Sequence, residues 1–265
     1  MKFNPETYKP IDYRTWVLGP EARQGVNIKR LKTLNAQEQK VWNAVQQSQD
    51  ARNDPGHGEL VAYFSKLLAP YYPDAILEIV VPTAICHDTG WAGEDPDAWN
   101  KLVQEKTKQG KLHELDDPKY RKQHQDQGAE FALKVFKKIG YPSEQYHKEC
   151  AEIIADHDTR LKPTTASGKL VRDADYLWRV TLPCNEIYLF SKGILNPTEV
   201  LQRAEDCCLN VKPPKKSEDV AQQVARIEIA NTLLYRFQES GEQALKERGY
   251  TQELDIVKRF YSTPI

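Results

Sequence analysis

The chain has 265 residues, 40% of them hydrophobic, which is enough for a sizeable core in one large domain. Its 37 Lys and Arg against 38 Asp and Glu leave a formal net charge of −1, a balance that argues against a nucleic-acid polymer as partner. Mean hydropathy is −0.68 and no apolar run approaches the ~20 residues of a membrane span, so no membrane is expected either. The opening Met1-Lys2-Phe3-Asn4-Pro5-Glu6 carries no apolar stretch of the kind a secretory signal needs. The cysteines Cys86, Cys150, Cys184, Cys207 and Cys208 form no CxxC pair. A reduced, cytoplasmic protein is expected.

Residues 1–35, rich in Pro, Gly, Tyr and charge, read as an irregular arm. Helical periodicity begins at Asn35, a plausible N-cap for a helix to about Arg52. Asp54-Pro55-Gly56 makes a turn, and a helix follows from His57 to Leu68. The run Asp74 to His87 is helical with Pro82 as a kink or division. Asp88 to Asp97 reads as loop, then Ala98–Lys108 as helix and 109–117 as a charged loop. A long helix spans Pro118–Ile139 and stops at Gly140, and Ser143 can cap the next, which reaches His157. Further helices fall near Lys169–Val180, Pro197–Leu209, Ser217–Glu239 and Gly241–Arg248. With no alternating strand runs and no repeat, the chain is expected to be all-α and a single domain. Residues 190–265 are read as a helical elaboration.

Chemistry concentrates on the apolar faces. Of six histidines, His113 and His147 sit among charges. The other four lie in line with core-type residues: His57 with Val61, Phe64 and Leu68; His87 with Val80 and Ala84; His124 with Gly128, Phe131 and Val135; His157 with Ile153 and Cys150. Asp175 stands between Val171 and Trp178, and Asp88 follows His87 at a helix end. Any one of these has a bland reading, as a satisfied core histidine or an aspartate paired with Arg172 or Arg179. Six together point inward on successive helices. Buried carboxylates need partners, and neutral imidazole with carboxylate is the usual donor set for divalent transition metals.

The order His57 … His87-Asp88 … Asp175 resembles the signature of the HD superfamily of metal-dependent phosphohydrolases. Ile85-Cys86-His87-Asp88-Thr89-Gly90 is similar to that family's apolar stretch ending in His-Asp-x-Gly. Leu170-Val171-Arg172-Asp173-Ala174-Asp175-Tyr176-Leu177 is similar to its last helix, which makes Asp175, not Asp173, the ligand. His124 and His157 stand where dinuclear branches insert two further His-bearing helices. The resemblance covers about residues 40–185 and implies that they form a helical HD-type core holding two divalent transition-metal ions, iron first, with manganese, zinc, nickel or cobalt as alternatives. His57, His87, Asp88 and Asp175 would hold one ion, and His124 and His157 the second. Asp88 would bridge them and is the catalytic residue, with a metal-bridged hydroxide as nucleophile. Two activities use such a set. One is hydrolysis of a nucleotide or small phosphorylated metabolite. The other is a mixed-valent diiron oxygenase cleaving a C–C or C–P bond. The cyclic-dinucleotide phosphodiesterase branch fits less well, since it expects paired histidines where this chain has His157-Asp158.

Candidate substrate contacts are Arg160 and Lys162, which follow His157 closely, and Trp91, which replaces the lysine that many dinuclear members carry after His-Asp-x-Gly. An aromatic pocket wall is expected there. The partner is a small-molecule substrate; a homo-oligomer is compatible with the C-terminal helices. A non-enzymatic regulator with a purely structural ion is the third reading, and it predicts that chelation unfolds the protein.

Overall fold

The computed structural model describes residues 34–49, 56–92, 95–111, 114, 117–159, 163–181, 184–185, 196–206 and 215–262. The described residues form an all-α structure with no strand. Ten helices follow in order: α1 Ala36–Val45, α2 His57–Leu68, α3 Leu77–Cys86, α4 Pro96–Lys108, α5 Pro118–Ile139, α6 His147–Asp156, α7 Ala166–Trp178, α8 Pro197–Ala204, α9 Lys215–Glu247 and α10 Thr251–Ser262. None is long and apolar enough to cross a membrane. The chain divides into two compact units, Arg23–Asp175 and Met1–Ala22 with Tyr176–Ile265, so the division falls inside α7.

In the first unit, local chemistry sets the helix ends. Asn35 caps α1 through a capping box: its Oδ1 accepts from the N–H groups of Gln37 and Glu38, while the Glu38 carboxylate accepts from the Asn35 N–H at 2.7 Å. Asp117 caps α5 by accepting from the Lys119 N–H at 2.8 Å, with Pro118 at the first position. Gly140 ends α5 at φ 71°. Ser143 differs from expectation. A 3-10 turn at Glu144–Tyr146 precedes α6, and Ser143 makes no cap. Its N–H and hydroxyl both donate to the Glu78 carboxylate, at 2.7 and 2.5 Å, charge-assisted bonds that hold the hydroxyl away from the helix terminus. Pro82 lies inside α3, past its first turn, where it removes one intrahelical N–H donor.

The apolar stripes of α1, α2, α3, α5 and α6 meet in one core. Trp42, Leu60, Phe64, Leu68, Ile79, Ile85, Phe136 and Ile154 are fully buried. Each such side chain removed from water contributes about 1.5–3 kcal/mol, so this layer fixes how the helices sit beneath the centre. His147, though it sits among charges in the sequence, is buried against Phe136, and its Nε2 faces the Pro142 carbonyl at 2.9 Å.

In the second unit, α9 packs on α8 and α10. The expected break near residue 240 occurs at Gln238, whose φ of 48° and ψ of −119° interrupt α9. Arg203 of α8 donates to Asn185 Oδ1 at 2.7 Å, and Thr232 of α9 to the Val180 carbonyl at 3.3 Å. Helix α10 is an element the sequence reading did not anticipate. Its buried face is Leu254, Ile256 and Val257.

Candidate metal centre

The six predicted ligands lie in the first unit, on α2, the end of α3, α5, the end of α6 and α7. The structure brings all six together. Asp88 leaves α3 after its last turn, so its carboxylate turns across the bundle. Its Oδ2 lies 3.3 Å from His57 Nδ1 and 3.8 Å from His87 Nε2. Its Oδ1 lies 3.4 Å from His124 Nε2 and 3.2 Å from His157 Nε2. Asp175 Oδ1 closes the first group at 2.8 Å from His57 Nε2 and 3.6 Å from His87 Nε2. Two donor trios result, His57-His87-Asp88 and Asp88-His124-His157, each with its ligand atoms within 4.8 Å of one another, and each able to hold a metal ion.

Three of the imidazoles are oriented by the backbone of their own elements. His87 Nδ1 faces the Ala84 carbonyl at 2.7 Å, His157 Nδ1 the Ile154 carbonyl at 2.8 Å, and His124 Nδ1 the Tyr120 carbonyl at 3.3 Å. A carbonyl only accepts, so each Nδ1 carries the proton and donates. In the neutral ring that leaves Nε2 as a lone pair aimed at the centre, the arrangement a metal-binding histidine needs. His87 Nε2 is buried and has no hydrogen-bond partner. A buried nitrogen lone pair in contact with nothing but carboxylates beyond hydrogen-bond reach costs free energy unless a cation sits between them. The donor set therefore fits a divalent transition ion.

Protonation tells the same story. Burial pushes the Asp88 and Asp175 carboxyls up, but the facing imidazoles outweigh it and hold both well below the usual carboxylate range. Burial pulls His124 down, only partly opposed by Asp88. Burial also works against a charged His157, yet Asp158, Asp88 and Asp175 together raise it to about 9. In protein stripped of metal, His157 therefore carries a proton at pH 8 that an incoming ion must expel. Loading at pH 8 is expected to release about one proton from this ring, and affinity to climb about tenfold per pH unit up to pH 9. Calorimetric titration in buffers of different ionisation enthalpy reads this; binding with no proton release would contradict the placement of His157.

Two neighbouring aspartates of α7 meet different surroundings. Asp175 faces the imidazoles. Asp173 is buried away from them, accepting from the Tyr72 hydroxyl and from Arg172 Nε and Nη2 at 3.0 and 2.8 Å. Asp173→Asn should cost about 2 kcal/mol in thermal unfolding, the scale of a hydrogen bond to a charged group, and leave metal content intact. Asp175→Asn should lower metal content.

Trp91 stacks on His124 with ring centroids 3.8 Å apart and planes 12° from parallel. Its Nε1 donates to Asp88 Oδ1 at 3.2 Å. It also walls a cavity of about 250 Å³ lined by Ala98, Leu102, Tyr120, Gln123 and Gln127, with Asp95 at its edge. A second cavity, of about 180 Å³, opens beside His157 and is lined by Glu149, Thr164, Thr165 and Arg172. Arg160 and Lys162 lie outside the described residues, as does His113. The sequence reading missed Asp158, whose Oδ2 lies 3.5 Å from His124 Nε2 and 3.8 Å from His157 Nε2. The signal was there: His157-Asp158 repeats the His87-Asp88 dipeptide, each at the end of a helix. Compared with known proteins, the chain matches no family model, no curated protein and no solved structure.

Proposed function

We propose that this protein is a metal-dependent hydrolase of a phosphate ester, acting on a nucleotide or small phosphorylated metabolite. The observation that supports it is the shared carboxylate of Asp88, set between two histidine pairs with one oxygen toward each. A pair of divalent ions in such trios supplies Lewis-acid polarisation of a phosphoryl oxygen and a nucleophile at neutral pH. The chain's own residues do the rest. His87, His124 and His157 present Nε2 lone pairs fixed by backbone carbonyls. Trp91 shields His124 from water and steadies Asp88 by its indole N–H. Tyr120, Gln123 and Gln127 offer aromatic and amide contacts to a substrate in the adjoining cavity.

The diiron oxygenase is retained as a second reading because of one observation. The cavity beside Trp91 includes no Lys or Arg among its described lining residues, and the Arg172 of the other cavity is engaged by Asp173. That lining suits an uncharged group better than a phosphate. Metal content of protein purified without chelators decides between the two, taken with EPR spectra before and after mild reduction, phosphate-release screens on ester and nucleotide panels, and oxygen uptake. Phosphate release that chelation abolishes and manganese, zinc or iron restores supports the hydrolase. Two irons with a mixed-valent signal, oxygen consumption and no phosphate release would replace it with the oxygenase.

A further inference from the structure

The Asp158 carboxylate faces the centre, and among the described residues no Lys or Arg pairs with it. Its Oδ2 has the Nε2 atoms of His124 and His157 at 3.5 and 3.8 Å, and its side chain is 16% exposed. Both rings direct their Nδ1 to carbonyls, so when neutral they turn lone pairs toward a negative oxygen. Three electron-rich atoms held this close repel one another unless a proton or a metal ion joins them, and a metal ion can join all three at once. The turn that carries Asp158 is itself fixed. The buried Gln125 amide, oriented to satisfy both its ends, accepts from the N–H groups of Asp158 and His157 at 2.9 and 3.2 Å and donates to Thr159 Oγ1 at 3.2 Å.

We propose that Asp158 is a ligand of the second ion, completing a four-donor set with Asp88, His124 and His157. This rests on the reading of the centre as metal-binding. Donors about 2.0–2.2 Å from a tetrahedral ion stand roughly 3.3–3.6 Å apart. The separations here are 3.2 Å and 3.4 Å from Asp88 Oδ1 to the two rings, 3.5 Å between the rings, and 3.5 Å and 3.8 Å from Asp158 to the rings. All lie within a few tenths of an ångström of that spacing. Two imidazoles with two carboxylates suit zinc, manganese or iron(II) better than a soft, thiophilic ion. With Asp88, Asp158 and Asp175 ionised against two divalent ions, the centre keeps a charge of about +1, which still attracts an anionic group.

Zinc alone, titrated calorimetrically into the metal-stripped full chain, tests this. Wild type should take up two ions. Asp158→Asn should bind the first as wild type does and the second at least about 100-fold more weakly, beyond the upper range for residues that merely orient a ligand. Wild type with two ions and Asp158→Asn with two of unchanged affinity would overturn the Asp158 assignment and leave the centre standing. Wild type with fewer than two would overturn both. If Asp158→Asn fails to fold by circular dichroism, Asp158→Cys loaded with cobalt(II) decides. A new near-ultraviolet thiolate-to-cobalt charge-transfer band, absent from wild type, supports ligation by this position; its absence overturns it.

Discussion

Asp88→Ala should lower turnover by at least about 10³-fold and leave the protein unable to hold two ions. The reason is that the Asp88 carboxylate belongs to both donor trios. One oxygen serves His57 and His87 at 3.3 and 3.8 Å, and the other His124 and His157 at 3.4 and 3.2 Å. A pair of ions contributes several kcal/mol of charge stabilisation in the transition state, and each 1.36 kcal/mol is a factor of ten, which sets the magnitude. Substitutions on one side should be less complete: His124→Ala or His157→Ala should cost one ion and spare the other. The protonation of His157 changes in the opposite sense and offsets only part of the loss. Without the Asp88 charge, His157 loses one of the carboxylates that raise it to about 9, so its proton leaves at lower pH. Metal analysis and turnover on whichever ester proves active measure the effect. An Asp88→Ala protein with two ions and full turnover would remove the bridging role.

How far the sequence carried the reading depends on what fixed each side chain's direction. His57, His124 and Asp175 sit within helices, where a period of 3.6 residues ties a side chain to its apolar neighbours, and their inward placement was legible. His87, Asp88 and His157 stand at helix ends and came through the His-Asp pattern as much as through periodicity. Asp158 sits two residues past the end of α6. There the turn, not the helical period, sets where a side chain points, and that turn is held by Gln125 from α5, some thirty residues away in sequence. Ser143 shows the same limit: its side chain follows Glu78, a long-range acceptor that no local cap rule anticipates. Helix α10 begins directly after the turn at Gly249, whose φ is 81°, and opens on the polar Thr251, Gln252 and Glu253, so no apolar stripe marks its first turn. The cavity wall of Tyr120, Gln123 and Gln127 is built from largely polar residues of α5 that no apolar period marks.

Gly90→Ala is expected to be the most damaging change outside the ligands. Gly90 lies in the 3-10 turn Thr89–Trp91, directly after Asp88, where α5 passes close by. A Cβ there would stand 1.8 Å from the His124 carbonyl oxygen, 2.4 Å from the Gly128 nitrogen and 2.8 Å from the Gly128 Cα. All three are backbone atoms of α5, so no rotamer change relieves the overlap. Restoring ordinary contact at ~3.4 Å needs the turn and the helix to part by about 1.6 Å. Overpacking of this kind costs about 3 kcal/mol, the upper part of the usual range, because a rigid helix must move. The same displacement carries His124 away from Asp88 Oδ1, now 3.4 Å distant, and breaks the Trp91 stack. A 1 Å misplacement at a reacting centre can cost about 10²-fold, so a loss of activity of that order should accompany the loss of stability. The second trio, built on α5 and the end of α6, should lose its ion first, while His57, His87 and Asp175 keep theirs. Gly168→Ala is the matched control. Its Cβ meets Ile153, Pro163 and Thr165 side-chain atoms at 3.4 Å, ordinary contact, and it lies inside α7, where alanine is the better helix former. Urea unfolding and zinc stoichiometry of the two variants should therefore diverge, Gly168→Ala staying within about 1 kcal/mol of wild type with two ions. Equal behaviour of the two would mean that the turn bearing Asp88 and helix α5 do not need the close approach that two facing glycines, Gly90 and Gly128, allow.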